Sequence, residues 1–171
     1  MGETVAILLG LGSNLGDRLA NLQSGVALLA HALGVVECSS VYETEPWGHK
    51  GQPKFLNLVC RACAAVSPDE LLRLCQETER AVGRTRTFKY GPRVLDVDVL
   101  AFGDSVIDTP NLVVPHPRLT ERRFVLVPLA EVAPKWVHPV MGKTASELLR
   151  EVEDGGEVRT WGPPLAGRSV G

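Results

Sequence analysis

Hydrophobic residues along this chain keep two periods, about two and about 3.6, and the switches between them mark out its elements. Residues 4–11 form a β-branched and leucine run closed by Gly12-Ser13-Asn14, which predicts a buried strand and its turn. Leu15, Leu19, Leu22, Val26, Leu29 and Leu33 then recur at steps of four and three. An amphipathic helix therefore follows, capped by Asn14 or Asp17 and ended by Gly34. Residues 35–44 predict a second strand, and 46–53, with Pro46, Gly48, Gly51 and Pro53, a loop. Residues 55–66 alternate more tellingly. Leu56, Leu58, Cys60, Ala62 and Ala64 form an apolar face for helices to cover; Phe55, Asn57, Val59 and Arg61 form a mixed face open to water or a ligand.

Ser67-Pro68-Asp69-Glu70 is a helix start, with Ser67 as N-cap and Pro68 in the first helical position. Leu71, Leu74, Cys75, Thr78 and Val82 supply the buried stripe, and Gly83 stops it. A loop over 84–92, a strand over 95–102 and an extended segment at 106–107 come next. Pro115-His116-Pro117 is a rigid extended element; a helix over 121–132, interrupted at Pro128, and another over 144–152 follow. The chain is Gly- and Pro-rich from Gly155, which predicts a short strand near Val158 and then a tail, so the chain divides into a folded domain over 1–154 and a tail over 155–171. The order β-α-β-β-α-β predicts a single-domain, ferredoxin-like α+β sandwich with a largely antiparallel sheet, helices on one face and the other face free for a site.

Composition narrows the function. The chain has 171 residues, 44% hydrophobic and 22% charged, which suits one globular domain and excludes global disorder. Aromatics are 5% and the net charge is −2, against a general nucleic-acid or membrane-surface binder. The apolar run at 5–11 is too short to span a bilayer and lacks a basic lead-in, so no membrane partner and a cytoplasmic location are expected. Cys60 and Cys63 would lie on opposite faces of a strand, which suits neither a metal site nor a redox loop; all four cysteines are expected as reduced thiols.

Asp96 and Asp98 interrupt an apolar strand at i and i+2, so both project from one face with Cβ atoms roughly 6–7 Å apart. Two like charges so close call for compensation by a divalent cation, or mark a solvated strand face. Arg80, Arg84, Arg86, Lys89 and Arg93 form a cationic run without an acid, hinged by Gly83 and Gly91: a clamp for phosphates, or a solvated loop. Only two residues separate its end from Asp96, so anion- and metal-binding groups converge, as phosphoryl transfer requires. His116, held between prolines and followed by Arg118, Arg122 and Arg123, can donate to phosphate oxygens or form a structural turn. Phe55 beside Asn57 suits a flat heterocycle, or core packing and a strand-end hydrogen bond. Neither a Walker A motif nor a standard dinucleotide fingerprint is present.

Gly12-Ser13-Asn14-Leu15-Gly16-Asp17, Val41-Tyr42-Glu43-Thr44-Glu45-Pro46, Gln52-Pro53-Lys54-Phe55-Leu56-Asn57, Gly91-Pro92-Arg93-Val94-Leu95-Asp96-Val97-Asp98 and Val114-Pro115-His116-Pro117-Arg118-Leu119 together resemble the 6-hydroxymethyl-7,8-dihydropterin pyrophosphokinases of folate biosynthesis. The resemblance implies transfer of pyrophosphate from ATP to the pterin hydroxymethyl group, giving AMP. It implies Asp96 and Asp98 as ligands of two Mg²⁺ ions, and Phe55 and Phe124 as rings sandwiching the pterin. Asn57, Thr44, Glu45 and Trp47 would read the pterin edge. Gln76, Glu79, Arg93, Val99, His116 and Arg122 would contact ATP, and Arg84 and Arg86 would belong to a mobile catalytic loop. The partners implied are these two small molecules, with no nucleic acid, and the state implied is a monomer. The competing reading is a ferredoxin-like RNA- or metabolite-binding module without catalysis.

Overall fold

Alternation along the strands sets the layers. In the computed structural model, which describes residues 3–45, 51–83 and 92–167, the elements in chain order are β1 (Val5–Ser13), α1 (Arg18–Leu33), β2 (Val36–Cys38), β3 (Val41–Thr44), β4 (Phe55–Ala64), α2 (Pro68–Val82), β5 (Asp96–Phe102), β6 (Ile107–Asp108), β7 (Val113–Val114), a 3₁₀ turn (Leu119–Glu121), α3 (Arg123–Val132), α4 (Ala145–Glu151) and β8 (Val158–Gly162). The main sheet runs β5-β1-β4-β3-β8 with every pairing antiparallel, and β2 also pairs with β4. This is the expected α+β sandwich with an extra edge strand. The apolar face of β4, from Leu56 to Ala64, joins Ile7, Leu9 and Leu11 of β1 beneath α1 and α2 in the larger core. Asp17 caps α1 by accepting from the Ala20 N–H, and Ser67 caps α2 by accepting from the Glu70 N–H. Gly83 ends α2 at φ 109°, a conformation that favours glycine.

The second face is not wholly free. Leu8, Val59 and Leu100 project from it and pack against Leu126, Leu129, Ala145 and Leu148 of α3 and α4 in a separate core. The predicted open face is thereby reduced to the region where β1 and β4 approach the start of β5. Pro128 does not interrupt α3: the helix runs ten residues through it. A proline there removes one N–H, and α3's Leu126, Leu129 and Val132 are buried on either side of it, so packing outweighs the lost bond.

The strand expected over 35–44 is two. Ser39 and Ser40 break it because side chains take ladder positions: Ser39 Oγ accepts from the Val59 N–H at 3.0 Å, and the Ser40 N–H donates to the Glu131 carboxylate at 3.0 Å. The segment 155–171 supplies β8, whose residues pair with all four of β3. Beyond it Leu165 packs on the larger core and the Gly167 carbonyl accepts from the Val36 N–H at 2.6 Å. Cys60 is buried while Cys63, on the other face, is exposed; all four cysteines are free thiols, with Cys38 directly opposite Cys60 in the β2–β4 register. Among the described residues no helix is long and apolar enough to cross a membrane.

Candidate active site

The part of the second face left uncovered by α3 and α4 is walled into a cavity of about 370 Å³. Its floor is backbone and side chain from Gly10 to Gly12 of β1, because that strand lies between β4 and β5. One wall comes from β5. Val97 and Val99 point into the larger core, so Asp96 and Asp98 point the other way, into the cavity. Arg93 also lines this wall, its Nε 3.8 Å from the Asp96 carboxylate. The opposite wall carries Thr44, Glu45, Phe55 and Asn57, with Phe124 from the start of α3. His116, Arg118 and Arg122 line the rest, delivered by the segment that crosses from β7 to α3.

Each wall is fixed locally. Thr44 and Asn57 are buried, and the Asn57 amide Nδ2 donates to the Thr44 hydroxyl across the β3–β4 pair. Gly12 faces that amide: a Cβ at this position would meet Asn57 Oδ1 at 2.6 Å and the Phe55 ring at 3.3 Å, so the amide and the ring sit where only a glycine admits them. The Arg122 guanidinium lies 5.5 Å from the Phe124 ring centroid, tying a cation to one aromatic wall. The His116 N–H donates to the Leu100 carbonyl at 2.9 Å, and the ring Nδ1 accepts from the Arg118 N–H at 3.2 Å. Its proton therefore resides on Nε2. Burial, reinforced by the neighbouring Arg122 and Arg118, pushes the imidazole down to about 4, so it is neutral near pH 7.

A lowered histidine pKa makes the folded state lose stability as pH falls from about 6.5, where the unfolded chain takes up the proton, towards 4, where the folded chain does. His116→Asn keeps an acceptor for the Arg118 N–H and has nothing to titrate. Discounted for partial exposure, about 2 kcal/mol of the acid-side loss should vanish in this variant. Urea unfolding at pH 7 and pH 4.5 checks it; an unchanged difference between the two pH values would place the titration elsewhere.

Of the remaining positions singled out in the sequence, Glu45 is exposed and 3.6 Å from Lys54 Nζ across an ion pair. Gln76 is on an exposed face of α2, and Glu79 is buried behind β5, where its carboxylate accepts from the Val97 N–H at 3.0 Å. Val99 is 5% exposed with its side chain in the larger core. The structure does not bring these last three to the cavity wall. Trp47, Arg84 and Arg86 lie outside the described residues. Gly10, Gly12 and Arg118 line the cavity without having been singled out as site residues. Gly12 and Arg118 stood inside the quoted motifs, but a glycine's role depends on what faces it across the sheet.

Carboxylates and arginines at one end of a cavity and a ring-and-amide slot at the other define a class: an α+β group-transfer enzyme that sets a polyanion against a flat heterocycle. The chain belongs to the 7,8-dihydro-6-hydroxymethylpterin-pyrophosphokinase (HPPK) family, whose model matches residues 8–134. It is 41% identical over 145 residues to the 2-amino-4-hydroxy-6-hydroxymethyldihydropteridine pyrophosphokinase of Aquifex aeolicus, covering 85% of this chain and 91% of that protein. It is 34% identical over 158 residues to Folic acid synthesis protein FOL1 of Dictyostelium discoideum, covering 92% of this chain and 24% of that one. The fold matches Plasmodium falciparum HPPK-DHPS solved with pteroate, at a TM-score of 0.73 and 17% identity, over 88% of this chain and 43% of that chain.

Proposed function

We propose that the chain transfers the terminal pyrophosphoryl group of ATP to the hydroxymethyl oxygen of 6-hydroxymethyl-7,8-dihydropterin, as a step of folate biosynthesis. A bond forms between that oxygen and the β-phosphorus, and the bond from the β-phosphorus to the bridging oxygen breaks. The electron pair leaves with AMP, and the hydroxyl proton passes to water. The observation that carries the reading is the shared cavity: Asp96, Asp98, Arg93, His116 and Arg122 line the same space as Phe55, Asn57 and Phe124.

Phe55 and Phe124 hold the pterin by its faces, while Asn57 and Thr44 meet its edge, with Glu45 beside them; Trp47, outside the described residues, completes the proposed pterin set. Arg93, His116 through Nε2–H, and Arg122 donate to phosphate oxygens; Gln76, Glu79, Val99, Arg84 and Arg86 complete the proposed nucleotide set, the first three by contacts outside the cavity wall. The donor set suits Mg²⁺. Among the described residues no three His, Cys, Asp or Glu cluster, so Asp96 and Asp98 would hold up to two ions with oxygens from phosphate and water, the shell this cation prefers. Bound there, it supplies charge neutralisation to the phosphates. The chain's own task is alignment: arginines fix the phosphates, the slot fixes the hydroxymethyl oxygen, and a walled cavity keeps water from the phosphorus. The proposed working unit is a monomer acting in the cytoplasm on two small molecules.

Mixing the chain with Mg²⁺-ATP and the pterin should yield AMP in step with a pterin diphosphate. ADP in its place would mean an ordinary kinase, and no turnover by folded protein would leave a binding module.

A further inference from the structure

Asn14 follows the last residue of β1 and is 1% exposed. Its side chain faces two segments that serve opposite walls of the cavity. Oδ1 accepts from the Arg93 N–H at 2.7 Å, while Nδ2 donates to the Pro53 carbonyl at 3.0 Å and to Gln52 Oε1 at 3.1 Å. Its own backbone N–H donates to the Arg93 carbonyl at 3.0 Å. The amide's orientation follows from chemistry, since a backbone N–H can only donate and a backbone carbonyl can only accept. Both N–H groups and one lone pair are thereby committed.

What these bonds hold is specific. Two and four residues after Pro53 come Phe55 and Asn57; three and five residues after Arg93 come Asp96 and Asp98. The ladders of β1 with β4 and β5 fix the strands themselves, and they end at Ser13–Leu56 and Gly12–Asp96. The leading segments 52–54 and 92–95 lie beyond those ladder ends, and both meet at Asn14. We infer that Asn14 is a positioning residue that sets the heterocycle slot against the phosphate-binding wall while touching neither substrate. This rests on the site reading above. In-line transfer needs the attacking oxygen and the phosphorus held together, and a displacement of about 1 Å between the two walls costs about a hundredfold in rate.

The two halves of the bracket separate chemically. Asn14→Asp keeps the acceptor for Arg93 and replaces the donor to Pro53 by an oxygen that repels it. Calorimetry on the full chain with the pterin and, separately, with Mg²⁺ and α,β-methylene-ATP should show the pterin Kd raised about tenfold, the equivalent of one hydrogen bond. The nucleotide Kd should stay within about twofold. Asn14→Ala breaks both halves; kcat should fall about a hundredfold, beyond any change in KM. Gln52→Ala, at a half-buried loop position, removes one acceptor, leaves the fold intact and should raise the pterin Kd about threefold. Equal shifts for both ligands in Asn14→Asp, or no shift in it and in Gln52→Ala, overturn the inference. Asp96→Asn and Asn57→Ala serve as controls: if they too leave turnover unchanged, the site reading has failed instead.

Discussion

Asp98→Asn should lower turnover about a thousandfold or more, which is roughly 4 kcal/mol of transition-state stabilisation, while the pterin Kd changes less than about threefold. The substitution keeps the side chain's size and removes its charge. Asp98 is exposed on the cavity side of β5, with Val97 and Val99 holding the strand in the core from the other side. Stability should hold or rise slightly, because one of two neighbouring like charges is gone. Asp96→Asn should be as damaging to turnover, but it also releases Arg93, 3.8 Å from the Asp96 carboxylate, so its effect mixes two losses. Single-turnover measurement of AMP formation, with pterin binding by calorimetry alongside, reads both quantities. Turnover within tenfold of the parent would mean that Asp96, with Arg93, His116 and Arg122, manages the phosphate charge without Asp98.

The layers of this fold are legible because burial writes a period of two into each strand. The split of β4 into Leu56–Ala64 and Phe55–Arg61 sets, read from residues alone, separates the larger core from the face that carries the cavity and, through Val59, the second core. Caps are equally local: Ser67 and Gly83 act within one turn of where they stand. Long-range exchanges were not legible. Ser39 looks like any strand serine until its hydroxyl is seen taking the ladder bond of Val59, 20 residues away. α3 and α4 look like ordinary amphipathic helices, and nothing local says that they cover the second face. The same distinction divides the site. Asp96 and Asp98 advertise themselves as charges in an apolar strand. Gly12 and Asn14 matter only through partners across the sheet, at Asn57, Arg93 and Pro53. Val99, one step along β5 from Asp98, turns its side chain to the opposite layer, so the sequence position alone does not say which face it serves.

Asn57 is where the identity of the heterocycle should be read most strongly. It is buried on the cavity wall with one N–H committed to Thr44, which fixes the amide plane and leaves the carbonyl oxygen and the second N–H directed along the edge of whatever the rings hold. Asn57→Ala removes that edge without entering the larger core, whose residues on β4 are the alternate set. The pterin Kd should rise about a hundredfold, since a buried polar edge left without partners costs about 1–3 kcal/mol. Gly12→Ala attacks the same pair from the floor. Its methyl would stand 2.6 Å from Asn57 Oδ1, so the amide must shift, and a loss of about tenfold is expected with every pterin-facing side chain still present. In both variants the Kd for α,β-methylene-ATP should stay within about twofold, because Arg93, His116 and Arg122 are untouched. The reverse pattern, nucleotide affinity lost and pterin affinity kept, would assign the slot between Phe55 and Phe124 to the adenine ring and move the pterin to the His116 side of the cavity.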